Sequence, residues 1–250
     1  MKSGAKTDKI LVVLPFWQGD KSQAMQLARL LADLEPAYSG AADFAFVARR
    51  DCKHDRDTVG YVSKKFNTFT ATSARPETGW PGGCNGLFFG AIDWCLRGIS
   101  SAKLPAYKAL FICAADTAPL VNDGLMYLHS EWDRLSKQGV NVAGAMVPGN
   151  ARGGANHING DCILISGKPD FLFWLAKRAG NVIRSNCGWD WSMAPEFELK
   201  LWSDISGIKS HYHRPAFCEE EWDGYRAGGV KWLHGCKDFS LLKIARKRLL

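Results

Sequence analysis

The chain reads ALFICAADTAPL from Ala109 to Leu120, and this stretch decides the fold. It carries no charge before Asp116, and Pro119 ends it. An uncharged apolar run with these bounds predicts a central strand that is buried on both faces. Asp116 falls where that strand is expected to end, and ligands bind at this edge in open α/β sheets.

Asp116 has two interpretations. An Asp-Thr pair before a proline is ordinary turn or helix-cap chemistry. A carboxylate at a strand end can also hold a metal ion together with a diphosphate, because hard cations prefer carboxylate oxygens and share their ligands with phosphates. The pattern at this one position leaves both interpretations open.

The chain opens with a strand, a helix and a second strand. Residues 9–16 and 43–48 are apolar runs, and residues 23–34 have helical spacing, with Asp20 or Ser22 as a candidate cap. This order predicts a right-handed parallel crossover. The loop between the first strand and the helix lacks GxGxxG and GxxxxGK[ST] motifs, so neither a dinucleotide-binding fold nor a P-loop ATPase is supported.

The rest of the chain continues the alternation of strands and helices. The predicted fold class is α/β, with a single domain and a Rossmann-like, mostly parallel central sheet flanked by helices. Further strands are predicted over residues 64–72, 140–147, 158–165 and 208–213. Further helices are predicted over residues 87–96, 125–136, 170–179 and 197–202.

Composition narrows the class of protein. The chain has 250 residues, 46% of them apolar, which is enough for one large core or two small ones. It holds no apolar run of 18 residues and begins with a polar segment, so we expect no membrane span and no signal peptide. Its eight cysteines form no CxxC pair. They therefore predict free thiols in a reducing compartment and no zinc site.

Charge and aromatic content point to the type of partner. The net charge is +7, which favours a polyanionic partner, although nucleotide substrates also account for it. Several of the ten tryptophans stand beside glycine or charged residues, among them Trp80, Trp189 and Trp191. Such rings either wall a site for flat or sugar rings or fill the core.

Two positions are candidates for binding phosphate. Arg49 follows the second predicted strand, where it can hold phosphate or form a solvated basic turn. Residues 78–86 are rich in glycine and proline, and near Asn85 they lead into a predicted helix. A glycine loop before a helix can receive phosphate or simply make a tight turn.

The later part of the chain holds candidate catalytic groups. Asp190 lies between two tryptophans, so partial desolvation would raise its pKa and suit a general base, although it can also cap the following helix. His234 can complete a metal site and Lys237 can hold a phosphate. His211 and His213 share one face of a predicted strand, as a metal pair or as solvated side chains.

The last segment, residues 239–250, is basic. It carries four basic side chains, namely Lys243, Arg246, Lys247 and Arg248. These side chains can follow a nucleic-acid backbone. They can equally be favourable partners of a helix dipole.

In order, these motifs resemble nucleotide-sugar glycosyltransferases of the GT-A type over most of the chain. In that family the central strand ends in an Asp-x-Asp motif that binds a divalent metal and the sugar diphosphate. Here Ala114 holds the first position and Asp116 the second. A late His-Gly loop in several such families supplies a metal ligand and a lysine, which match His234 and Lys237. Inverting members of the family often carry the catalytic base in a Glu-Asp pair, and here Asp190 matches the aspartate of that pair.

The resemblance implies one domain, residues 1–250. Its nucleotide-binding half covers about 9–120, its acceptor-binding half about 121–238, and a basic helix covers 239–250. It also implies Mn²⁺ or Mg²⁺ held by Asp116 and His234, a UDP-sugar donor, and an inverting displacement with Asp190 as base. The donor is expected to contact Pro15, Phe16, Trp17, Arg49, Asp51, Trp80, Asn85, Ala115, Asp116 and Lys237. The acceptor is expected to contact Trp189, Trp191 and His157.

A narrower resemblance predicts the acceptor. The loop at 79–86 and the small basic chain look like phage- and virus-encoded glycosyltransferases, some of which modify hydroxymethylated pyrimidines in DNA. A flipped base could stack on the tryptophans. The predicted acceptor is therefore such a base, and the predicted location is cytoplasmic, in a host cell if the protein is viral. The alternatives are a cell-surface glycan or protein acceptor, a nucleotidyltransferase, and a non-catalytic nucleic-acid-binding domain.

Overall fold

Parallel strands at the start of the chain build half of the central sheet. In the computed structural model, which describes residues 5–36, 39–149, 156–214 (only the backbone of 212–214) and 216–250, these strands pair side by side. They are β1 (Ile10–Phe16), β2 (Ala42–Ala48), β3 (Thr68–Thr72) and β4 (Ala109–Cys113). Every residue of β2 and β4 is buried, as expected for parallel strands covered on both faces.

The other half of the sheet adds β6 (Val142–Val147), β7 (His157–Ser166) and β8 (Trp202–Asp204). The strand order is β3-β2-β1-β4-β7-β6-β8. Of the strands described in this sheet, β7 alone runs against the others. The predicted α/β domain with a mostly parallel central sheet is therefore confirmed.

Helices cover both faces of this sheet. They are α1 (Lys21–Leu34), α2 (Arg56–Val62), α3 (Gly82–Ser100), α4 (Gly124–Ser136), α5 (Pro169–Ala176), α6 (Ala179–Arg184), α7 (Trp189–Leu199), α8 (Glu219–Ala227) and α9 (Ser240–Leu249). Alternate residues of β1 point to opposite faces. Val12 and Leu14 join the core under α1, α4 and α9, whereas Leu11 and Val13 join the core under α3 and α5.

A second, three-stranded sheet lies beside the first. It consists of β5 (Thr117–Pro119), β9 (Ile208–Arg214) and β10 (Trp232–Cys236), with β10 in the middle. Trp232 anchors β10, since its ring is fully buried and its Nε1 donates to the carbonyl of Gly124 at 2.9 Å.

The apolar run at 109–120 forms two strands in different sheets, whereas the sequence predicts a single central strand that ends near Asp116. The first part ends at Cys113, and the backbone then turns, with Thr117 N donating to Ala114 O at 3.1 Å. The second part joins the small sheet as β5. Nearly every position is buried, so hydrophobicity alone does not reveal the turn. Asp116 therefore lies in the turn between the two sheets.

Several helix boundaries also differ from the sequence prediction. Helix α3 begins at Gly82, inside the glycine-rich loop. Helix α7 begins at Trp189, where a helix had been predicted only from residue 197, and Trp202 belongs to β8. The segment predicted as one helix over 170–179 divides into α5 and α6.

The structure shows the state of the cysteines and the apolar character of the helices. The eight cysteines all lie in the described ranges and form no disulfide there, as predicted. Within the described residues, no helix combines the length and apolar character needed to cross a bilayer.

The anchoring of β10 leads to a stability prediction. Truncating Trp232 to alanine would leave a large cavity in the core and remove the hydrogen bond from its Nε1 to the Gly124 carbonyl, so we expect a loss of about 3–5 kcal/mol in the free energy of unfolding. Urea denaturation measures this loss. The exposed Trp80 is the matched control, and Trp80→Ala should change stability by less than about 0.5 kcal/mol. Equal denaturation midpoints for the two variants would contradict the assignment.

Candidate active site

A buried imidazole stands where the two sheets meet. His234 of β10 places its Nε2 atom 3.3 Å from Oδ1 of Asp116 and 3.3 Å from Oδ2 of Asp161. Its Nδ1 atom lies 2.9 Å from the hydroxyl of Ser210 on β9. His234 and Asp116 are buried, whereas the Asp161 side chain is 47% exposed. The cluster is thus buried on one side and open to solvent on the side of Asp161.

Opposite charges hold this cluster together. Burial disfavours charged His234, but attraction to Asp161 and Asp116 outweighs burial and raises the pKa of the imidazole above its ordinary value. Burial also disfavours charged Asp116, but His234 and Lys237 outweigh it and hold the pKa of that carboxyl well below its usual range. The Nζ atom of Lys237 lies 2.5 Å from Asp116 Oδ2. Asp116 is therefore a carboxylate that contacts two cationic groups.

Gly235 brings His234 and Lys237 to the same carboxylate. Its φ of 113° lies in the region that favours glycine, and its N–H donates to the carbonyl of Asp116 at 3.3 Å. A Cβ at this position would lie 1.6 Å from the carbonyl oxygen of His211. Glycine is therefore required for β10 to pass this close to β9.

Asp190 forms a second buried carboxylate site. It lies in the first turn of α7 after the N-cap Gly188, so it is not the cap itself. Its oxygens accept from Gly160 N at 3.1 Å and Trp191 N at 3.0 Å. Burial, reinforced by the negative charge of Asp161, raises the pKa of Asp190 despite these donors. The carboxylate is fixed in position and is more basic than an ordinary aspartate.

The predicted acceptor residues differ in exposure. Trp189 is buried and stacked on Phe88, with the ring centroids 3.5 Å apart. His157 is also buried, and its ring packs 4.8 Å from that of Trp191. Trp191 is 39% exposed. The structure therefore gives Trp189 a packing role.

The predicted donor residues near Arg49 form one surface. The Arg49 guanidinium makes two hydrogen bonds with Asp51, at 2.7 and 2.6 Å, and lies 4.8 Å from the ring centroid of Trp17. A Cβ on Gly83, in the first turn of α3, would lie 3.4 Å from Arg49 Nη1. The end of β2, the loop after β1 and the start of α3 thus meet around Arg49.

The remaining predicted donor-binding residues differ in burial. Phe16, Asn85 and Ala115 are buried, and Asn85 donates to the carbonyl of Cys187 at 2.9 Å. Pro15 is half-buried in β1, whereas Trp80 is 80% exposed. Trp80 is therefore the one large exposed ring of this group.

The sequence did not identify four residues that the structure places near the site. They are Asp20, Cys84, Asp161 and Ser210. Burial raises the pKa of the Cys84 thiol to about 11, and the negative charges of Asp161, Asp20 and Asp190 add to this effect. The Cys84 thiol, in the first turn of α3, is thus near enough to these carboxylates to be affected by their charges. Such proximity depends on tertiary structure and has no motif that would reveal it in the sequence.

The chemistry around His234 fits a divalent cation. No three or more His, Cys, Asp or Glu side chains in the described ranges are spread around a common metal position, and those at His234 contact one another instead. The donor types are nevertheless suitable, because Mn²⁺ and Mg²⁺ accept carboxylate oxygen and Mn²⁺ accepts imidazole nitrogen. The buried Nε2 of His234 makes no hydrogen bond in the described structure, while the Ser210 contact orients the ring from Nδ1.

The predicted histidine pair on β9 lies only partly within the described residues. His211 Nε2 hydrogen-bonds the hydroxyl of Tyr225. The side chain of His213 lies outside the described residues. His211 therefore has a structural partner on α8.

The basic C-terminal helix pairs most of its charges within the molecule. Arg246 contacts Asp33 at 2.9 Å, Lys247 contacts Glu219 at 2.8 Å, and Arg248 contacts both Glu219 and Asp223. These pairs favour a role in packing α9 against its neighbours.

Comparison with solved structures identifies the fold as that of GT-A glycosyltransferases. The galactosyltransferase LgtC, in complex with donor and acceptor sugar analogs, aligns with a TM-score of 0.58, 9% identity and 96% coverage of both chains. The bifunctional glycosyltransferase WbbM aligns with a TM-score of 0.55 and 10% identity, over 95% of this chain. The chain spans about half of WbbM, 46% of its length. No protein-family model and no curated protein matches the sequence.

Asp20 yields a pH-dependent prediction. Burial raises its pKa from 3.8 to about 6. The folded chain therefore binds more protons than the unfolded chain between these values, and Asp20 lowers stability as the pH rises through that window. Asp20→Asn should raise the free energy of unfolding relative to wild type by about 2 kcal/mol more at pH 7 than at pH 4, allowing for partial solvent exposure.

Urea denaturation at the two pH values measures this difference. Asp20 accepts a hydrogen bond from Trp17 N at 2.8 Å, which asparagine can also accept. The control is Asp123→Asn, at an exposed position whose side chain makes no cap hydrogen bond. The same stability change at pH 4 and pH 7 would show that Asp20 does not titrate in this window.

Proposed function

We propose that the protein is a glycosyltransferase that moves a sugar from a nucleotide-sugar donor to an acceptor hydroxyl. The observation that carries this proposal is the cluster of the buried Asp116 and His234 with the exposed Lys237, just after the central strand of a GT-A fold. Transfer of the sugar leaves a nucleoside diphosphate whose negative charge grows as the bond breaks. Cationic groups fixed at that position lower the barrier.

Asp116 and His234 would hold Mn²⁺ or Mg²⁺ in this function. The bound ion would supply Lewis-acid stabilisation of the leaving diphosphate. The Lys237 side chain is 58% exposed, so its ammonium group can reach a phosphate oxygen while remaining close to Asp116.

Arg49 supports binding of the nucleotide part of the donor. It lies between Trp17 and the first turn of α3, where backbone N–H groups and the helix dipole favour phosphate. The exposed ring of Trp17 offers a surface for a flat base. A UDP-sugar is the donor that the sequence resemblance implies.

Asp190 is the proposed base of an inverting displacement. The acceptor oxygen forms a bond to the anomeric carbon, the bond from that carbon to the diphosphate breaks, and Asp190 takes the hydroxyl proton. The raised pKa of this buried carboxyl supports the role. Its two backbone hydrogen bonds keep it oriented, and Nε2 of the buried His157 lies 3.9 Å from its Oδ2.

A sugar hydroxyl is the acceptor that we propose. The exposed Trp191, beside Asp190, offers an apolar ring face suited to a sugar. A hydroxymethylated base in DNA is the second candidate, favoured by the net charge of +7. The internal ion pairs of α9 weigh against DNA, because they occupy three of the four basic side chains of that segment.

Nucleoside diphosphate release is the direct test of donor use. Purified protein with Mn²⁺ and a panel of nucleotide sugars should release one nucleoside diphosphate. Asp116→Ala and His234→Ala should each reduce the rate at least about 100-fold, because they remove cation ligands. Asp123→Ala is the matched exposed control. Absence of release with every donor, with and without acceptors, would overturn the proposal.

The same assay separates the two acceptors. Stimulation of release by oligosaccharides or simple glycosides supports a sugar acceptor. Stimulation confined to hydroxymethylated DNA would replace it with the DNA acceptor.

Asp190→Asn tests the role of the base. Removing a general base typically lowers kcat by about 100- to 10,000-fold, and we expect a loss in this range with little change in the KM for the donor. Anomer-resolved NMR of the product should show inversion. An unchanged kcat, or a product of retained configuration, would contradict the assignment of Asp190.

A further inference from the structure

We infer that Asp161 supplies the carboxylate that Ala114 omits from the GT-A metal motif, an inference that rests on the proposed function. Strands β4 and β7 are antiparallel neighbours, with Cys113 paired to Cys162. One step further along, Ala114 N donates to the carbonyl of Asp161 at 2.7 Å. Residue 161 therefore stands directly across from residue 114.

The side chain of Asp161 reaches the same imidazole as Asp116. Both carboxylates place an oxygen 3.3 Å from Nε2 of His234. Ligand atoms about 2.1 Å from an octahedral ion are about 3.0 Å from their neighbours. The spacing on either side of Nε2 is thus near that of adjacent ligands, and small side-chain movements would place all three atoms around one ion.

Two further observations favour a cation at this position. The Nε2 atom of His234 is buried and makes no hydrogen bond within the described structure, although it faces both carboxylates. Asp161 also directly follows Gly160, whose N–H donates to Asp190 Oδ2 at 3.1 Å, so a third carboxylate stands next to the cluster. A divalent cation would take the place of the proton on this nitrogen and bind both carboxylates.

With Asp161 as a ligand, the chain has a cation site without an aspartate at position 114. The carboxylate is moved from the end of one strand to the facing residue of the adjacent strand. If Asp161 served only as an ion-pair partner of His234, its removal would affect protein stability and leave metal affinity unchanged.

Mn²⁺ titration of the full chain, followed by electron paramagnetic resonance, tests the inference without using activity. Asp161→Ala and Asp161→Asn should each weaken Mn²⁺ binding at least about tenfold. The exposed Asp123→Ala control should bind like the wild type. Circular dichroism establishes that each variant is folded.

The decisive variant removes the carboxylate at position 161 and places one at position 114. A114D/D161A should restore Mn²⁺ affinity to within about threefold of the wild type, because the new carboxylate stands across the strand pair from the lost one. Wild-type affinity in Asp161→Ala would overturn the inference, as would failure of the folded double variant to recover affinity.

Variants of the other two ligands separate this inference from the proposed function. Loss of Mn²⁺ binding in Asp116→Ala and His234→Ala, with binding intact in Asp161→Ala, would overturn the role of Asp161 alone. Wild-type binding in all three variants would overturn the metal site of the proposed function as well.

Discussion

The contact of His234 with Asp116 and Asp161 is the constraint on which the site depends. It joins the middle strand of the small sheet to the turn after β4 and to β7 of the central sheet. Charges interact strongly here because His234 and Asp116 are buried. The buried Trp232 and the close approach at Gly235 fix the strand that carries the imidazole. The stability of β10 and the chemistry of the site therefore have a common structural basis.

Much of the fold could be predicted from the sequence because burial leaves a direct signal. Apolar runs such as residues 9–16 and 43–48 correspond closely to β1 and β2. Helical spacing likewise located α1 and α4 to within two residues. The family resemblance then selected Asp116, His234 and Lys237, which the structure brings into contact; their proposed roles in catalysis remain predictions.

The rest required strand pairing and packing that no local pattern encodes. Asp161 sits within an apolar strand, and its relation to Ala114 appears only once β7 pairs antiparallel with β4. The division of the run at 109–120 depends on the second sheet, which recruits β5. Likewise, Trp189 and Trp191 have similar sequence surroundings, but Phe88 stacks on Trp189, whereas Trp191 stays partly exposed.

The central claim is that this cluster binds a nucleoside diphosphate through a divalent cation. Isothermal titration of UDP into the protein, with and without Mn²⁺, tests it most directly and needs neither a sugar nor an acceptor. The account predicts that Mn²⁺ tightens UDP binding at least about tenfold, equivalent to about 1.4 kcal/mol. Equal UDP affinity with and without the ion, or no binding in either condition, would contradict it.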